Sequence, residues 1–122
     1  MPERNPYFYR GCRVERIIDG DTVDLFVHVG FDTYLKRRVR LIGIDTPEVR
    51  TKDLNEKARG IAATQRLREL IEEGNTGTTL VVDLESHDLD KYGRVLGTVW
   101  CGGKNLNRAL LSEGHADTYP ID

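Results

Sequence analysis

Residues 12–44 read CRVERIIDGDTVDLFVHVGFDTYLKRRVRLIGI, and this stretch decides the architecture. From Thr22 to Val29 the chain alternates cleanly. Val23, Leu25, Val27 and Val29 share one face, and Asp24, Phe26 and His28 share the other. Strict alternation of this kind marks a half-buried strand. Cys12–Ile18 alternates less regularly before it, and Asp19-Gly20-Asp21 between them supplies a turn. Gly30 ends the second run. A third strand is expected from about Thr33 to Ile44, basic in its first half (Lys36, Arg37, Arg38, Arg40) and apolar in its second (Leu41, Ile42, Ile44). Short turns between the three favour an antiparallel meander.

After Pro47 the period changes to a helical one. Asp53 is the expected N-cap, Glu56 stands three residues on as in a capping box, and Gly74 closes the far end. Ala58, Ile61, Ala62, Leu67, Leu70 and Ile71 form its expected apolar face, which Gly60 weakens. Two more strands follow, Thr78–Glu85 and Arg94–Cys101, joined by a polar loop from Ser86 to Gly93. Cys101-Gly102-Gly103-Lys104 reads as a second hairpin turn. Asn105 or Asn107 caps a short helix that runs through Leu110 and Leu111 to Gly114. Residues 1–9, with Pro2 and Pro6, read as a loose arm, and residues 1–11 precede the barrel proper. The expected class is α+β, mainly β. Five short strands, with a helix between the third and fourth and a short C-terminal helix, suit a small closed barrel of the oligonucleotide-binding type. A mixed open sheet is the alternative that this order also allows.

The 122 residues amount to one expected domain. A composition of 39% hydrophobic and 31% charged residues excludes a disordered tail or a collagen-like rod. Apolar runs of only a few residues fall far short of the roughly 20 that a membrane-crossing helix needs. A net charge of −2 argues against general coating of polyanions but leaves room for a local basic site. Between Asp32 and Lys52, six Lys and Arg stand against three Asp and Glu. Lys36-Arg37-Arg38 reads equally as a solvated edge strand or as part of a phosphate-attracting patch. Cys12 and Cys101 do not make a disulfide framework, and two buried thiols are the favoured reading over a single bridge. The opening residues MPERNPYFYR lack the apolar segment of a signal peptide, so the expected location is cytoplasmic, or secreted if a leader has been removed.

Two acidic motifs fall at strand ends that should be neighbours: Asp19-Gly20-Asp21-Thr22 and Asp45-Thr46-Pro47-Glu48. Each alone reads as a turn. Together they offer hard oxygen donors of the kind that hold Ca²⁺ or Mg²⁺. Their charges should repel one another without metal, so neutralising one, as in Asp21→Asn, is expected to stabilise the metal-free protein. Arg40 precedes Asp45 by five residues, and Arg94 closes Asp90-Lys91-Tyr92-Gly93-Arg94. Guanidinium groups match the charged oxygens of a phosphodiester undergoing attack, and a carboxylate can activate the attacking water.

The segments Ile18–Val23, Arg40–Glu48 and Asp90–Arg94, in this order, resemble the staphylococcal nuclease (thermonuclease-like) family. Weaker matches are Glu56-Lys57 with Gly60, and Asn107 with Ala109-Leu110 and Gly114. The resemblance spans roughly Arg13 to Ala116. It implies a calcium-dependent nuclease that hydrolyses phosphodiester bonds of DNA and RNA with little sequence specificity, by in-line attack of water. Asp21, Asp45 and the backbone carbonyl of Thr46 match the calcium ligands, and Asp19 an acidic group behind them. Glu48 matches the proposed general base, Arg40 and Arg94 the two phosphate-gripping arginines, and Lys91 and Tyr92 residues that touch a substrate phosphate. Of the base-stacking tyrosines that the resemblance implies, only Tyr119 stands near the required place. It implies DNA and RNA as partners, single strands preferred, and no membrane. It also implies a further C-terminal helix without a counterpart before Asp122; Tyr7, Phe8 and Tyr9 of the arm, or a second copy in a homodimer, are expected to cover that flank. The alternative is a non-catalytic barrel module that binds nucleic acid or protein. Domains that lose activity tend to lose acidic or arginine positions, and all are present here.

Overall fold

The computed structural model describes residues 7–120. Three strands come first: β1 (Tyr7–Asp19), β2 (Thr22–His28) and β3 (Tyr34–Leu41). A two-residue β4 (Ile44–Asp45) precedes the helix α1 (Leu54–Glu73). Then come β5 (Val81–Leu89), β6 (Val95–Cys101), β7 (Lys104–Asn105), helix α2 (Leu106–Ser112) and β8 (Asp117–Thr118). Pairing runs antiparallel through β3-β2-β1-β5-β6, and a parallel ladder from Val39–Leu41 to Val95–Gly97 joins β6 back to β3. Five strands therefore close into a barrel with two helices, as expected. Parallel closure removes the free edge that an open sheet would leave.

The arm is shorter than its sequence suggests. Tyr7–Tyr9 pair with Leu84–Ser86 of β5, so β1 begins before Cys12 and serves both halves of the barrel. Tyr9 packs on the core, whereas Tyr7 and Phe8 are exposed. The expected arm residues before Tyr7 lie outside the described residues. The third strand is also shorter than expected, because Ile42 and Gly43 turn away and Ile44 enters the separate ladder β4–β8. The first half of the polar loop before β6 is strand: β5 continues to Leu89 past an irregularity near His87.

The inward residues of the meander are those the alternation picks out, except Val29, which lies beyond β2 and is exposed. Val23, Leu25, Val39, Leu41, Val82, Leu84 and Val99 fill the barrel, with Leu67, Leu70 and Ile71 of α1 and Leu106 and Leu110 of α2 closing it. Each such side chain contributes on the order of 1.5–3 kcal/mol by leaving water. Asp53 caps α1, accepting from Asn55 N and Glu56 N. Asn105 caps α2, accepting from Arg108 N. The inward face of α1 differs from expectation in its first half. Gly60 and Ala63 are buried, while Ala58, Ile61 and Ala62 face outward. Cys12 and Cys101 are free and buried, and burial pushes both thiols up from their ordinary pKa. Asn107 ties the closure together: its amide donates to Ile42 O and Gly97 O, and its Oδ1 accepts from Val99 N.

Candidate active site

The β1–β2 hairpin delivers the first pair of carboxylates. Asp19 and Thr22 are register partners, and Gly20 and Asp21 form the turn. Gly20 is dictated by packing: a Cβ there would lie 2.8 Å from Ala63 Cβ and 3.0 Å from Thr46 Cγ2. The turn is thus pressed between α1 and the loop after β4. Asp19 Oδ1 accepts from Asp21 N at 3.1 Å. Asp21 is buried, yet its carboxylate is well satisfied, by Thr22 Oγ1 (3.0 Å), Thr46 N (3.0 Å) and Arg40 Nη1 (3.1 Å).

Arg40 ties this turn to the second motif. Its Nη1 also donates to Ile44 O at 3.0 Å, and its Nη2 reaches Asp45 Oδ1 at 3.3 Å. The guanidinium therefore lies between Asp21 and Asp45. Tyr119, whose N–H donates to Gly43 O, stands over it with the ring centroid 5.5 Å from Cζ. The next loop is placed by α1. A Cβ on Gly60 would come within 2.7 Å of both Pro47 O and Glu48 O, so only glycine lets the helix seat this backbone. Glu56 does not complete the expected capping box; its carboxylate accepts from Glu48 N at 3.2 Å, and Asp53 N donates to Thr51 Oγ1 instead. Glu48 itself is exposed at the cavity rim.

The opposite wall is the β5–β6 turn. Asp90 Oδ1 accepts from Tyr92 N and Arg94 N, both at 2.9 Å, and Oδ2 holds Arg94 Nε at 2.6 Å. Gly93 takes the left-handed conformation (φ +82°) that this tight turn needs. Only Nε of Arg94 is engaged among the described residues, which leaves the two Nη groups for a ligand. Tyr92 is exposed and lies beside both Lys91 and Arg94, 5.3 Å and 5.6 Å from their charged centres. All these walls face one cavity of about 460 Å³, lined by Asp19, Asp21, Arg40, Asp45, Glu48, Asp90, Lys91, Tyr92, Arg94 and Tyr119 among others. The side chains of the three sequence motifs are thereby brought together. Thr46 is buried beside them, its N–H bonded to Asp21.

Electrostatically the acidic wall is under tension. Burial, then the hydrogen bond and charge of Asp21, push Asp19 up to about 7. Burial likewise opposes ionisation of Asp21, but Asp19, Thr46 N–H and Arg40 outweigh it and hold Asp21 below its ordinary range. Asp45 is raised, by burial and by Asp21, in spite of Arg40. Among the described residues no three His, Cys, Asp or Glu side chains gather closely enough to hold a metal by themselves. The donor chemistry nevertheless fits a hard cation that draws on two carboxylates and backbone oxygen. Asp21 and Asp45 offer oxygen only, their repulsion is incompletely offset by one guanidinium, and Thr46 Oγ1, next to Asp45 in the chain, is buried without a hydrogen-bond partner among the described residues.

A profile of the family described as Staphylococcal nuclease homologue matches residues 38–122. The chain belongs to this family. Members similar to it include the Thermonuclease of Staphylococcus intermedius, 36% identical over 109 residues, covering 88% of this chain and 60% of that protein. The Micrococcal nuclease of Shigella flexneri is 35% identical over 120 residues, covering 91% and 59%. The SPbeta prophage-derived endonuclease YokF of Bacillus subtilis (strain 168) is 35% identical over 104 residues, covering 84% and 32%. The chain thus spans between about a third and three fifths of these relatives' lengths. Within this nuclease-homologue domain, three residues of the matching segments have positioning roles that the sequence alone does not assign. Asp90 organises the turn that carries Arg94; its signal was an Asp four residues before Arg in a Gly-containing turn. Gly60 was visible as a glycine inside a helix, which often marks a close backbone approach. Nothing local in the sequence marks Asn107 as the tie between α2 and the barrel closure.

Proposed function

We propose that this domain is a calcium-dependent nuclease that hydrolyses phosphodiester bonds of DNA and RNA with little sequence specificity. The observation that carries the reading is the pair of arginines on opposite walls of one cavity, with an exposed carboxylate, Glu48, at its rim. A phosphodiester between the walls meets Arg40 on one side and the free Nη groups of Arg94 on the other. Planar, permanently charged donors suit the extra negative charge that builds on the non-bridging oxygens during attack. Glu48 is the base: it accepts a proton from water as the water oxygen bonds to phosphorus in line with the leaving oxygen. The bond to the leaving oxygen breaks as the new one forms, and that oxygen takes up a proton.

Asp21, Asp45 and the carbonyl of Thr46 are the residues that would hold Ca²⁺, with Asp19 behind them. Bound there, the ion supplies a divalent charge that offsets the carboxylates and polarises a phosphoryl oxygen. Lys91 and Tyr92 flank Arg94 where a neighbouring phosphate would pass, and Tyr119 offers an exposed ring beside Arg40 for a base. All these contacts are to phosphate, metal or a base face, so little sequence is read. Unpaired strands, which bend into the cavity more readily than duplex, are the preferred substrates. The test is one gel: plasmid, single-stranded DNA and RNA, each with Ca²⁺, Mg²⁺ or chelator. Cleavage of all three with Ca²⁺ and none in chelator is expected. Intact substrates under every condition would leave the non-catalytic binding module as the function.

A further inference from the structure

The basic run on β3 is not a simple solvated edge. Its side chains fall on one face in a repeat of two: Lys36, Arg38 and Arg40, spaced about 7 Å apart along the strand. Arg40 enters the active-site cavity. Arg38 enters a second cavity of about 310 Å³, which adjoins the first through Asp19 and Glu48 and is otherwise lined by Arg16, Ile18, Val49 and Arg50. Arg38 is neutralised by Asp24, with Nε and Nη2 at 2.8 and 3.1 Å from its two oxygens. Arg16 and Arg50 are exposed and have no ion pair among the described residues. They supply the free positive charge of this cavity.

The register continues the pattern across the barrel's outer face. Arg16, Asp24 and Arg38 form one row over β1, β2 and β3, and Arg13, Phe26 and Lys36 form the next. His28 and Tyr34 form a third. Arg13 Cζ lies 5.4 Å from the Phe26 ring and 4.9 Å from the Tyr34 ring, and the His28 ring lies 4.9 Å from that of Tyr34, tilted by 38°. Tyr34 is exposed beside Arg13 and His28. Lys36 is paired with Glu15 at 3.1 Å, so this end of the face is more aromatic than cationic.

We propose that the outer face of β1–β2–β3 is a track for the single strand that leaves the active-site cavity. Arg16 and Arg50 grip a backbone phosphate beyond the one being cleaved, and Tyr34, braced by Arg13 and His28, stacks an unpaired base. The occupant is single-stranded nucleic acid, because a ring can stack only on a base that is not paired. A groove of cations followed by aromatic rings is the general chemistry of such binding. The inference rests on the nuclease reading only for the direction of the strand.

The test measures binding in chelator, where no cleavage intrudes. Fluorescent oligothymidine of about ten nucleotides, within the site size of one such barrel, is compared with a dinucleotide. Wild type should bind the longer strand at least tenfold more tightly. In Arg16→Ala/Arg50→Ala that ratio should fall about tenfold. The log–log salt slope for the longer strand should drop by about 0.7, the share of the one phosphate no longer neutralised. Tyr34→Ala should weaken the longer strand about tenfold and leave the salt slope alone. A wild-type ratio near one, a double variant with an unchanged ratio, or tighter binding of a matched duplex would each overturn the track. Plasmid cleavage with Ca²⁺ is scored separately. Cleavage with a flat binding ratio removes the track and keeps the nuclease; no cleavage with an intact ratio does the reverse.

Discussion

Arg40 and Arg94 face the same cavity but are held by opposite means. Arg40 is largely buried and is gripped by Asp21, Asp45 and the carbonyl of Ile44, groups brought from the β1–β2 turn and the segment after β3. Arg94 is more open and is held by one carboxylate four residues earlier in its own turn. The first arrangement is a tertiary charge network, in which removing Arg40 leaves the buried Asp21 carboxylate without a countercharge. The second is a local clamp that can be lost without disturbing the barrel. Two side chains offered the same chemical role should therefore behave alike in catalysis and differently in stability.

The largest expected effect is on turnover. Arg40→Ala and Arg94→Ala should each lower it by roughly 10²-fold or more, the scale for removing one donor to transition-state charge. Glu48→Gln should be comparably severe. Steady-state cleavage of single-stranded DNA at saturating Ca²⁺ checks all three, and near wild-type turnover throughout would sink the assignment. Stability then separates the arginines. Arg40→Ala leaves the buried Asp21 carboxylate without its countercharge and should cost about 3 kcal/mol. Arg94→Ala breaks a partly exposed pair and should cost less than about 1 kcal/mol. Urea unfolding in chelator measures both, and equal losses would mean that the Asp21–Arg40–Asp45 network is not a structural unit.

The same contrast explains what the sequence made legible. Alternation in Thr22–Val29 and the turn chemistry of Asp19-Gly20-Asp21 are local properties, so the meander and the acidic turn could be read directly. Asp53 as N-cap was equally local. Tyr7–Tyr9 could not be read as strand, because their partners are backbone groups of β5 some 77 residues away (Tyr7 to Ser86 is 79, Tyr9 to Leu84 is 75) and two of the three rings remain outside. Glu56 looked like a cap because its spacing fits one, but the loop that Gly60 admits presents a nearer donor, Glu48 N. The roles carried by the motif residues came from resemblance; what their types and spacing gave was the chemistry, not which carboxylate would meet which arginine.

That pairing reverses one expectation about the acidic wall. From sequence, relieving repulsion by Asp21→Asn should stabilise the metal-free protein. In the structure Asp21 is the favourably ionised member, held by Arg40 and two hydrogen-bond donors, whereas Asp19 bears the repulsion. Asp19→Asn keeps an oxygen that can accept from Asp21 N and should raise stability in chelator by about 1 kcal/mol, as expected when a strained active site is relaxed. Asp21→Asn should lower it. Calcium should stabilise wild type by about 2.7 kcal/mol at a hundredfold excess over its dissociation constant, and less in Asp21→Asn at equal calcium. Thermal melts of the three proteins with and without Ca²⁺ decide the matter. A rise for Asp21→Asn in chelator would show that repulsion, not the Arg40 bridge, dominates there.

The smallest effect belongs to the local clamp and is read by pH. Partial burial opposes ionisation of Asp90, but Arg94 N–H, the Arg94 guanidinium and Tyr92 N–H outweigh it and hold the carboxyl below its ordinary value of 3.8. A carboxyl depressed on folding binds fewer protons in the folded state than in the unfolded one. Its stabilising contribution is complete above the unfolded value and is lost as pH falls through the folded value. Asp90→Asn keeps an oxygen that can accept hydrogen bonds but has no charge to lose. Its deficit in melting temperature relative to wild type should therefore be steady from neutral pH down to about 5 and then shrink as the solution is acidified further. Exposure makes the deficit modest, since solvent screens a pair at the surface. Paired melts across that range, in chelator so that the acidic wall carries no metal, follow the difference directly. A deficit that stays constant through the acid limb would mean that the clamp is made by the hydrogen bonds alone, and that the charge on Asp90 does nothing to hold Arg94 in place.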